Sequence, residues 1–333
     1  MTLPTRHLGK LTTSALGYGC MGLSEFYGEP LPKEKAIGVI HTAYENGITL
    51  FDTADMYAYG ENEKLVGEAI KPFRDKITLA TKCGIIRRKE DPTARGIDNT
   101  PDYITKCCDE SLKRLDIDII DLFYIHRRNP ETPIEVTVEA LAKLVEQKKI
   151  RHIGLSEVDA ETIKRAHKIH PITAIQSEYS LWTRTVEYND VLETCKSLNI
   201  GFVPYSPLGR GFLTGAIKNP ANLEKSDFRR TLPRFAEQNI DGNLKLVELI
   251  EVLAKQKNCT PAQLALAWLL AKEKFIVPLF GTKTPSRLIE NLKATEINLT
   301  ADDINYLNKI STEHAPHQSR YTDAAMKAYK LEE

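Results

Sequence analysis

The sequence predicts an α/β chain folded as a single (β/α)8 TIM barrel, with an N-terminal β-hairpin and two extra helices. Three observations predict it. Short apolar runs rich in Ile, Val, Leu and Phe alternate with longer segments of helical period, the pattern of buried parallel strands each followed by a helix. A length of 333 residues suits such a barrel, which typically takes about 250 residues and tolerates insertions. Beyond the strand–helix period no repeat or low-complexity tract divides the chain, so 1–333 reads as one domain with a C-terminal tail over 314–333.

In chain order, Arg6–Ser14 carries Gly9 in a turn context and reads as a small hairpin closing the barrel bottom. Strands are expected at Ala15–Cys20, Leu50–Thr53, Thr78–Lys82 and Leu122–His126, then at His152–Ser156, Ala174–Ser177, Gly201–Tyr205 and Phe275–Leu279. Between them helical periodicity covers Lys33–Asn46, Asn62–Lys71, Pro101–Leu115, Pro133–Gln147, Ala160–Ile169 and Val186–Leu198. In Pro133–Gln147, Ile134, Val138, Leu141, Leu144 and Val145 recur at helical spacing, and Pro133 suits a first turn. After the seventh strand comes a polar stretch, Asn219–Gln238, which fits either a functional loop or a tolerated surface insertion. Helices Asn243–Gln256 and Pro261–Ala271 follow it, and Ser286–Leu292 and Ala301–Ile310 follow the last strand.

Lys plus Arg and Asp plus Glu number 45 each, so overall charge favours neither nucleic acid nor an anionic membrane, and a small molecule is the better partner. The longest apolar runs, such as Ile117–Ile125, are short and interrupted by acids, against the roughly 20 residues a membrane helix needs. Met1–Lys10 lacks the apolar core of a signal peptide, so a cytoplasmic location is expected and the six cysteines read as free thiols. They form no CxxC pair, and no metal site is predicted. Oligomeric state is left open by the sequence.

Residues 17–22, GYGCMG, match the glycine pattern of a dinucleotide-binding turn. That motif requires a helix opening directly behind it, whereas Gly28, Pro30 and Pro32 precede the helical pattern at Lys33, so no helix start is expected under a pyrophosphate there. Glycines at a strand end would instead let backbone approach a flat ligand closely.

In a β/α barrel the functional side chains gather where strands exit at the C-terminal face. Asp52 ends the second strand, Tyr57 follows five positions later, Lys82 ends the third strand and His126 ends the fourth. Each has an ordinary structural reading when taken alone, as a cap, a cover or a core residue. Together they make a set: a buried Lys and Asp need one another to avoid uncompensated charge. An ammonium at Lys82, held by Asp52, is expected to lower the pKa of the Tyr57 phenol and make it a proton donor. His126 would donate a hydrogen bond to a substrate oxygen. No side chain supplies a hydride, so a nicotinamide cofactor is implied.

With these residues in view, the chain resembles the aldo-keto reductase superfamily over nearly its whole length. The matching segments are LGYGCMG at 16–22, FDTADMYAYGENEKLVGEAI at 51–70, LATKCG at 79–84 and YIHR at 124–127. Further on come IRHIGLS at 150–156, AIQSEYSLWTR at 174–184, VPYSPLGRGFLTG at 203–215 and GTKTPSRLIENLKA at 281–294, and FRRTLPRF at 228–235 resembles the bacterial and plant branch. The resemblance implies NADPH-dependent reduction of aldehydes or ketones to alcohols, with Asp52, Tyr57, Lys82 and His126 as catalytic tetrad and Tyr57 as proton donor. It implies cofactor contacts from Gly19, Cys20, Met21 and Asp52, a carboxamide site at Ser156 and Gln176, and a ring stacked on Tyr205. Along the pyrophosphate it places Ser206, Pro207, Leu208, Gly209, Arg210 and Gly211. Around the adenosine 2′-phosphate it places Gly281, Thr282, Lys283, Thr284 and Arg287, with Glu290 and Asn291 on the adenine. A guanidinium forking onto phosphate at a helix N-terminus is what such a ligand requires. One position departs: many relatives carry Asn after the serine at 156, whereas Glu157 can only accept, so it is not expected to hold the carboxamide.

Phe26, Tyr27, Tyr59, Arg127, Trp182 and Phe212 are candidates for the substrate pocket, with Arg230 and Phe235 further ones, giving an aromatic-lined site of some basic character. Two other readings are carried forward: an NADPH-binding sensor or regulatory subunit with little turnover, and an unrelated barrel enzyme such as a metal-dependent lyase.

Overall fold

In the computed structural model, which describes residues 3–91, 95–316 and 318–329, eight parallel strands close into a barrel. They are Gly17–Gly19, Leu50–Asp52, Thr78–Cys83, Ile120–Ile125, Ile150–Ser156, Ile172–Glu178, Gly201–Tyr205 and Leu279–Phe280. Leu279 opposite Gly17 joins the eighth strand to the first. Thr78–Cys83 and Ile120–Ile125 are buried at every position, as strands covered by side chains inside and helices outside must be. In the helix Ile134–Glu146, four of the five residues of the predicted face, Ile134, Val138, Leu141 and Leu144, are buried, and Val145 is half-buried.

The N-terminal hairpin, Thr5–Leu8 paired with Leu11–Ser14, plugs the bottom. Leu8 is fully buried and packs with Leu50, Ala80, Leu122 and Val203 in the barrel interior. A Cβ at Gly201 would lie 2.4 Å from the Leu8 Cα, so the plug seats only against glycine. Higher up, Tyr124 fills the interior over Gly154, where a Cβ would meet the ring at 2.3 Å. The hairpin and Tyr124 thereby fill the barrel interior below the strand exits, where the large cavity lies.

Several boundaries differ from the sequence reading for identifiable reasons. The last strand is two residues long rather than Phe275–Leu279, because Pro278 has no N–H to donate; Ile276 makes an isolated bridge to Phe202. The segment expected as one helix over Val186–Leu198 is a turn, Thr185–Glu187, and a helix, Val191–Ser197, with Asp190 left-handed (φ 61°) between them. The helix expected from Asn243 begins six residues earlier, as Glu237–Gln256. A one-turn helix, Met21–Ser24, does open directly behind Gly17–Gly19, correcting the expectation that none would. The Cys20 amide there is bonded to Asp52 O (2.8 Å), within the barrel framework. A small hairpin, Ile85–Ile86 with Gly96–Ile97, was not anticipated. The long loop folds as three short 3-10 turns, Pro220–Asn222, Phe228–Thr231 and Pro233–Phe235. The tail carries a helix, Asp323–Ala328, capped by Thr322, while 330–333 lie outside the described residues. Among the described residues no helix is long and apolar enough to cross a membrane, and no group of three or more His, Cys, Asp or Glu is placed to hold a metal.

Candidate active site

At the strand exits a cavity of about 950 Å³ runs from Asp52, Tyr57 and His126 at one end to Arg287 and Asn291 at the other. Asp52 and Lys82, on adjacent strands, form a buried ion pair in direct contact, and Lys82 Nζ also donates to Thr53 O (2.8 Å). Gln176 Nε2 donates to the other Asp52 oxygen at 3.0 Å. The Tyr57 ring lies edge-on to His126 (centroids 5.8 Å apart, 85° between planes), and Lys82 Nζ is 5.3 Å from the Tyr57 ring centre. Among the described residues the Tyr57 hydroxyl has no hydrogen-bond partner, so it is available to a ligand, and the buried Nδ1 of His126 has none either. The four residues predicted as a tetrad are therefore brought together.

Tyr57 is carried on a tight turn in which Ala58 and Tyr59 are both left-handed (φ 46° and 56°). Such a backbone persists only where its surroundings hold it. Here Glu25 accepts from the Ala58 amide (2.8 Å), Arg87 grips Glu25 at 2.6 and 2.8 Å, and the same guanidinium donates to Met56 O (2.9 Å). Tyr59 packs under Arg87, 4.4 Å from ring centre to guanidinium, and does not line the cavity.

The electrostatics correct one expectation. Burial, reinforced by Asp52, holds the Tyr57 phenol well above its ordinary value, and Arg127 offsets this only in part. Lys82 is not among the main influences on it, so the expected downward pull of the ammonium does not prevail. Burial lowers Lys82 itself, with Asp52 opposing. Burial, then Arg127 and Lys82, push His126 well below the usual histidine range, so its imidazole is neutral at neutral pH.

Of the residues implied for the cofactor, Gly19, Met21, Gln176 and Tyr205 line the cavity, as do Ser206, Pro207, Leu208, Arg210 and Gly211. So do Gly281, Thr282, Lys283, Thr284, Arg287, Glu290 and Asn291. Cys20, Ser156 and Gly209 stand behind the wall: Cys20 is fully buried and the Ser156 hydroxyl accepts from Arg127 at 3.1 Å. Ser206, Arg210 and Gly211 are left-handed (φ 50°, 58° and 89°), which wraps that loop around the groove. Lys283 donates to the Tyr27 and Glu29 carbonyls (2.6 and 2.5 Å), tying the segment after the first strand to the last helix pair, while Arg287 is exposed and has no carboxylate partner among the described residues.

The pocket aromatics are partly different from those expected. Phe26 and Tyr27 line the cavity, and Phe26 contacts both Tyr57 (6.3 Å) and Phe228 (5.7 Å). Trp182 and Phe212 do not: they stack on each other (4.4 Å, 11°) and, with Phe235, form a closed cluster beneath the long loop. Arg230 staples that loop through Ala221 O and Leu223 O. What the sequence reading missed is Tyr321, whose hydroxyl meets that of Tyr205 at 3.2 Å. Arg320 beside it pairs with Glu157 (3.0 Å), and Arg210 lies 4.8 Å from the Tyr321 ring centre. Glu157, doubted as a carboxamide ligand, is the anchor of the tail.

A closed parallel barrel with these groups at its strand exits is the architecture of an oxidoreductase family, and the chain belongs to it: the model of the aldo/keto reductase family matches residues 15–312. Among individual proteins it is similar to probable aldo-keto reductase 1 of Glycine max, 48% identical over 292 residues, covering 87% of this chain and 83% of the relative. It is 46% identical over 304 residues to the Schizosaccharomyces pombe aldo-keto reductase yakc [NADP(+)], covering 90% and 89%. Among solved structures it superposes on the glycerol dehydrogenase AKR11B4 of Gluconobacter oxydans with a TM-score of 0.85 at 28% identity, covering 96% and 98% of the two chains. The holo form of aldo-keto reductase AKR11C1 from Bacillus halodurans gives 0.76 at 27%, covering 96% and 99%.

Proposed function

We propose that the protein reduces aldehydes or ketones to alcohols with NADPH, Tyr57 giving its proton to the carbonyl oxygen. One observation carries the reading: a single cavity joins the Asp52, Lys82, Tyr57 and His126 cluster to a distant basic end at Lys283 and Arg287. That shape and donor set fit a dinucleotide with its reactive ring at the cluster and a 2′-phosphate at the far end, and the Schizosaccharomyces pombe relative carries NADP(+) in its name. Tyr205 and Gln176 would face the nicotinamide, and Arg287 with Thr282 and Thr284 the phosphate. When bound, NADPH supplies the hydride. Neutral His126 donates a hydrogen bond that orients the carbonyl and steadies the growing negative charge on its oxygen. The Asp52–Lys82 pair holds the turn and strand in register. Tyr57 then passes its hydroxyl proton to that oxygen and is reprotonated from water. A phenol held above its ordinary pKa keeps that proton until a strongly basic alkoxide forms. Phe26, Phe228 and Tyr321 shield the reacting centre. The reading extends to a small-molecule substrate and a cytoplasmic setting.

Incubation with NADPH and a panel of reactive aldehydes, aromatic and pyridine aldehydes included, tests it through loss of nicotinamide absorbance. Oxidation of NADPH dependent on the aldehyde is expected. Tight NADPH binding with no turnover of any carbonyl would replace this reading with the sensor.

A further inference from the structure

Arg127 and Arg320 are the two arginines of the described residues that are buried as whole residues, at 7% and 9% exposure. Arg320 is paired with Glu157. Arg127 faces no carboxylate within 4 Å among the described residues, although it follows His126 directly and lines the same cavity as Tyr57. Its Nη1 donates to His126 O (2.7 Å) and to Ser156 Oγ (3.1 Å). The other three of its five N–H donors, one on Nε and two on Nη2, have no partner among the described residues, and Nε is fully buried.

A buried guanidinium with unfilled donors and no carboxylate in contact is costly, and Glu157, Tyr205 and Tyr321 favour the Arg127 charge only from beyond ion-pair distance. The neighbouring acids are engaged elsewhere: Glu157 with Arg320 (3.0 Å) and Glu178 with Arg210 (3.0 Å). The other arginines of the inner cavity are matched too, Arg87 by Glu25 (2.6 Å) and Arg229 by Asp227 (2.6 Å). Against the upward push of burial, Arg210, Arg127 and Arg320 hold the Tyr321 phenol below its ordinary value.

We propose that Arg127 anchors a carboxylate on the substrate, so that the natural substrate class is a carbonyl compound carrying a carboxylate within reach of the Tyr57 and His126 end of the cavity. The inference rests on the carbonyl-reductase reading and narrows it. Nη2, which unlike Nε is not fully buried, can donate to a carboxylate on a molecule in the cavity, whereas an uncharged aldehyde gives it no charged partner. Arg127 is thus a specificity residue, distinct from the pyrophosphate loop at Arg210 and the far end at Arg287.

The test compares 2-, 3- and 4-carboxybenzaldehyde with their methyl esters in wild type, Arg127→Gln and Arg127→Lys. At least one acid should be preferred over its ester by wild type, and in Arg127→Gln that kcat/KM ratio should fall about tenfold to a hundredfold, the loss of a charged hydrogen-bonded contact. Arg127→Lys keeps the charge without the guanidinium geometry and should fall between. In parallel, calorimetry follows benzoate and benzyl alcohol binding to the NADP+-saturated protein, with benzoate favoured only when Arg127 is present. Equal loss for acid and ester, or a change in NADPH affinity larger than the change in the ratio, would overturn the proposal and leave carbonyl reduction standing. If wild type turns over no carbonyl the functional reading fails, and the benzoate comparison still decides the anchor: no difference between wild type and Arg127→Gln would overturn it.

Discussion

Asp55, two residues before Tyr57, shows how much of this site is decided by burial acting on single side chains. Burial, reinforced by Glu63 and only partly offset by Arg114, raises its carboxyl from the ordinary 3.8 to about 8, and its Oδ1 has no hydrogen-bond partner. Because the folded value lies above the unfolded one, the native state binds the extra proton. The stability Asp55 contributes is complete below about pH 4 and is lost progressively as pH rises to about 8. Asp55→Asn removes the ionisation at constant shape. Its melting temperature should gain on wild type steadily between pH 4 and pH 8 and level off above, by on the order of 5 °C. A gap constant with pH in scanning calorimetry would contradict the assignment. At this scale the sequence was most legible for Asp52, Lys82 and His126, whose strand-end positions alone bring them to the site. It was least so for the acidity of Tyr57, which depends on how deeply the phenol is buried and how close it lies to Asp52 and Arg127. Both are properties of packing and are not written in the order of residues.

Among elements, the tail shows the limit of local reading most clearly. Residues 314–333 have neither the apolar period of a helix nor the alternation of a strand, so nothing local marks Arg320 and Tyr321 as part of the cavity. Their meaning comes from Glu157, 163 positions earlier. Burial disfavours the Glu157 carboxylate, yet Arg320, Arg127 and the Glu178 amide together hold it at about 2. Its folded value lies below the ordinary 4.5, so the stabilisation it gives is complete above that pH and is lost as pH falls from about 4.5 to about 2. Glu157→Gln leaves Arg320 buried without a counter-charge, a change that costs about 3–5 kcal/mol where the element cannot move away. Amide exchange across 318–329 should speed up in the variant at pH 7, and its stability deficit relative to wild type should close as pH falls through that window. Unchanged exchange in the tail would show that the pair does not hold it. The long loop was similarly half legible: its position after the seventh strand was clear, but Trp182, Phe212 and Phe235 pack on one another, and only three-dimensional packing shows which aromatics remain for a ligand.

For the whole molecule, the strand–helix alternation was enough to foresee a closed barrel, because parallel strands covered on both faces leave long apolar runs that few other architectures explain. The short ladders at the seam, Gly17–Gly19 and Leu279–Phe280, were not readable in length, since Pro278 and closure of the ring decide them. Closure also accounts for the spread of the site: groups from residues 19 to 329 meet along one cavity. If that cavity holds NADPH end to end, Arg287→Ala should weaken NADPH by about tenfold to a hundredfold, the value of a charged hydrogen bond, and leave NADH nearly unchanged. Fluorescence titration reads both, and equal weakening would remove Arg287 from the 2′-phosphate. Proton delivery by Tyr57 is tested by the single-turnover rate of NADPH oxidation by Tyr57→Phe at saturating aldehyde. A rate at least about a hundredfold below wild type with NADPH affinity retained is expected; a rate equal to wild type would exclude Tyr57 as the donor.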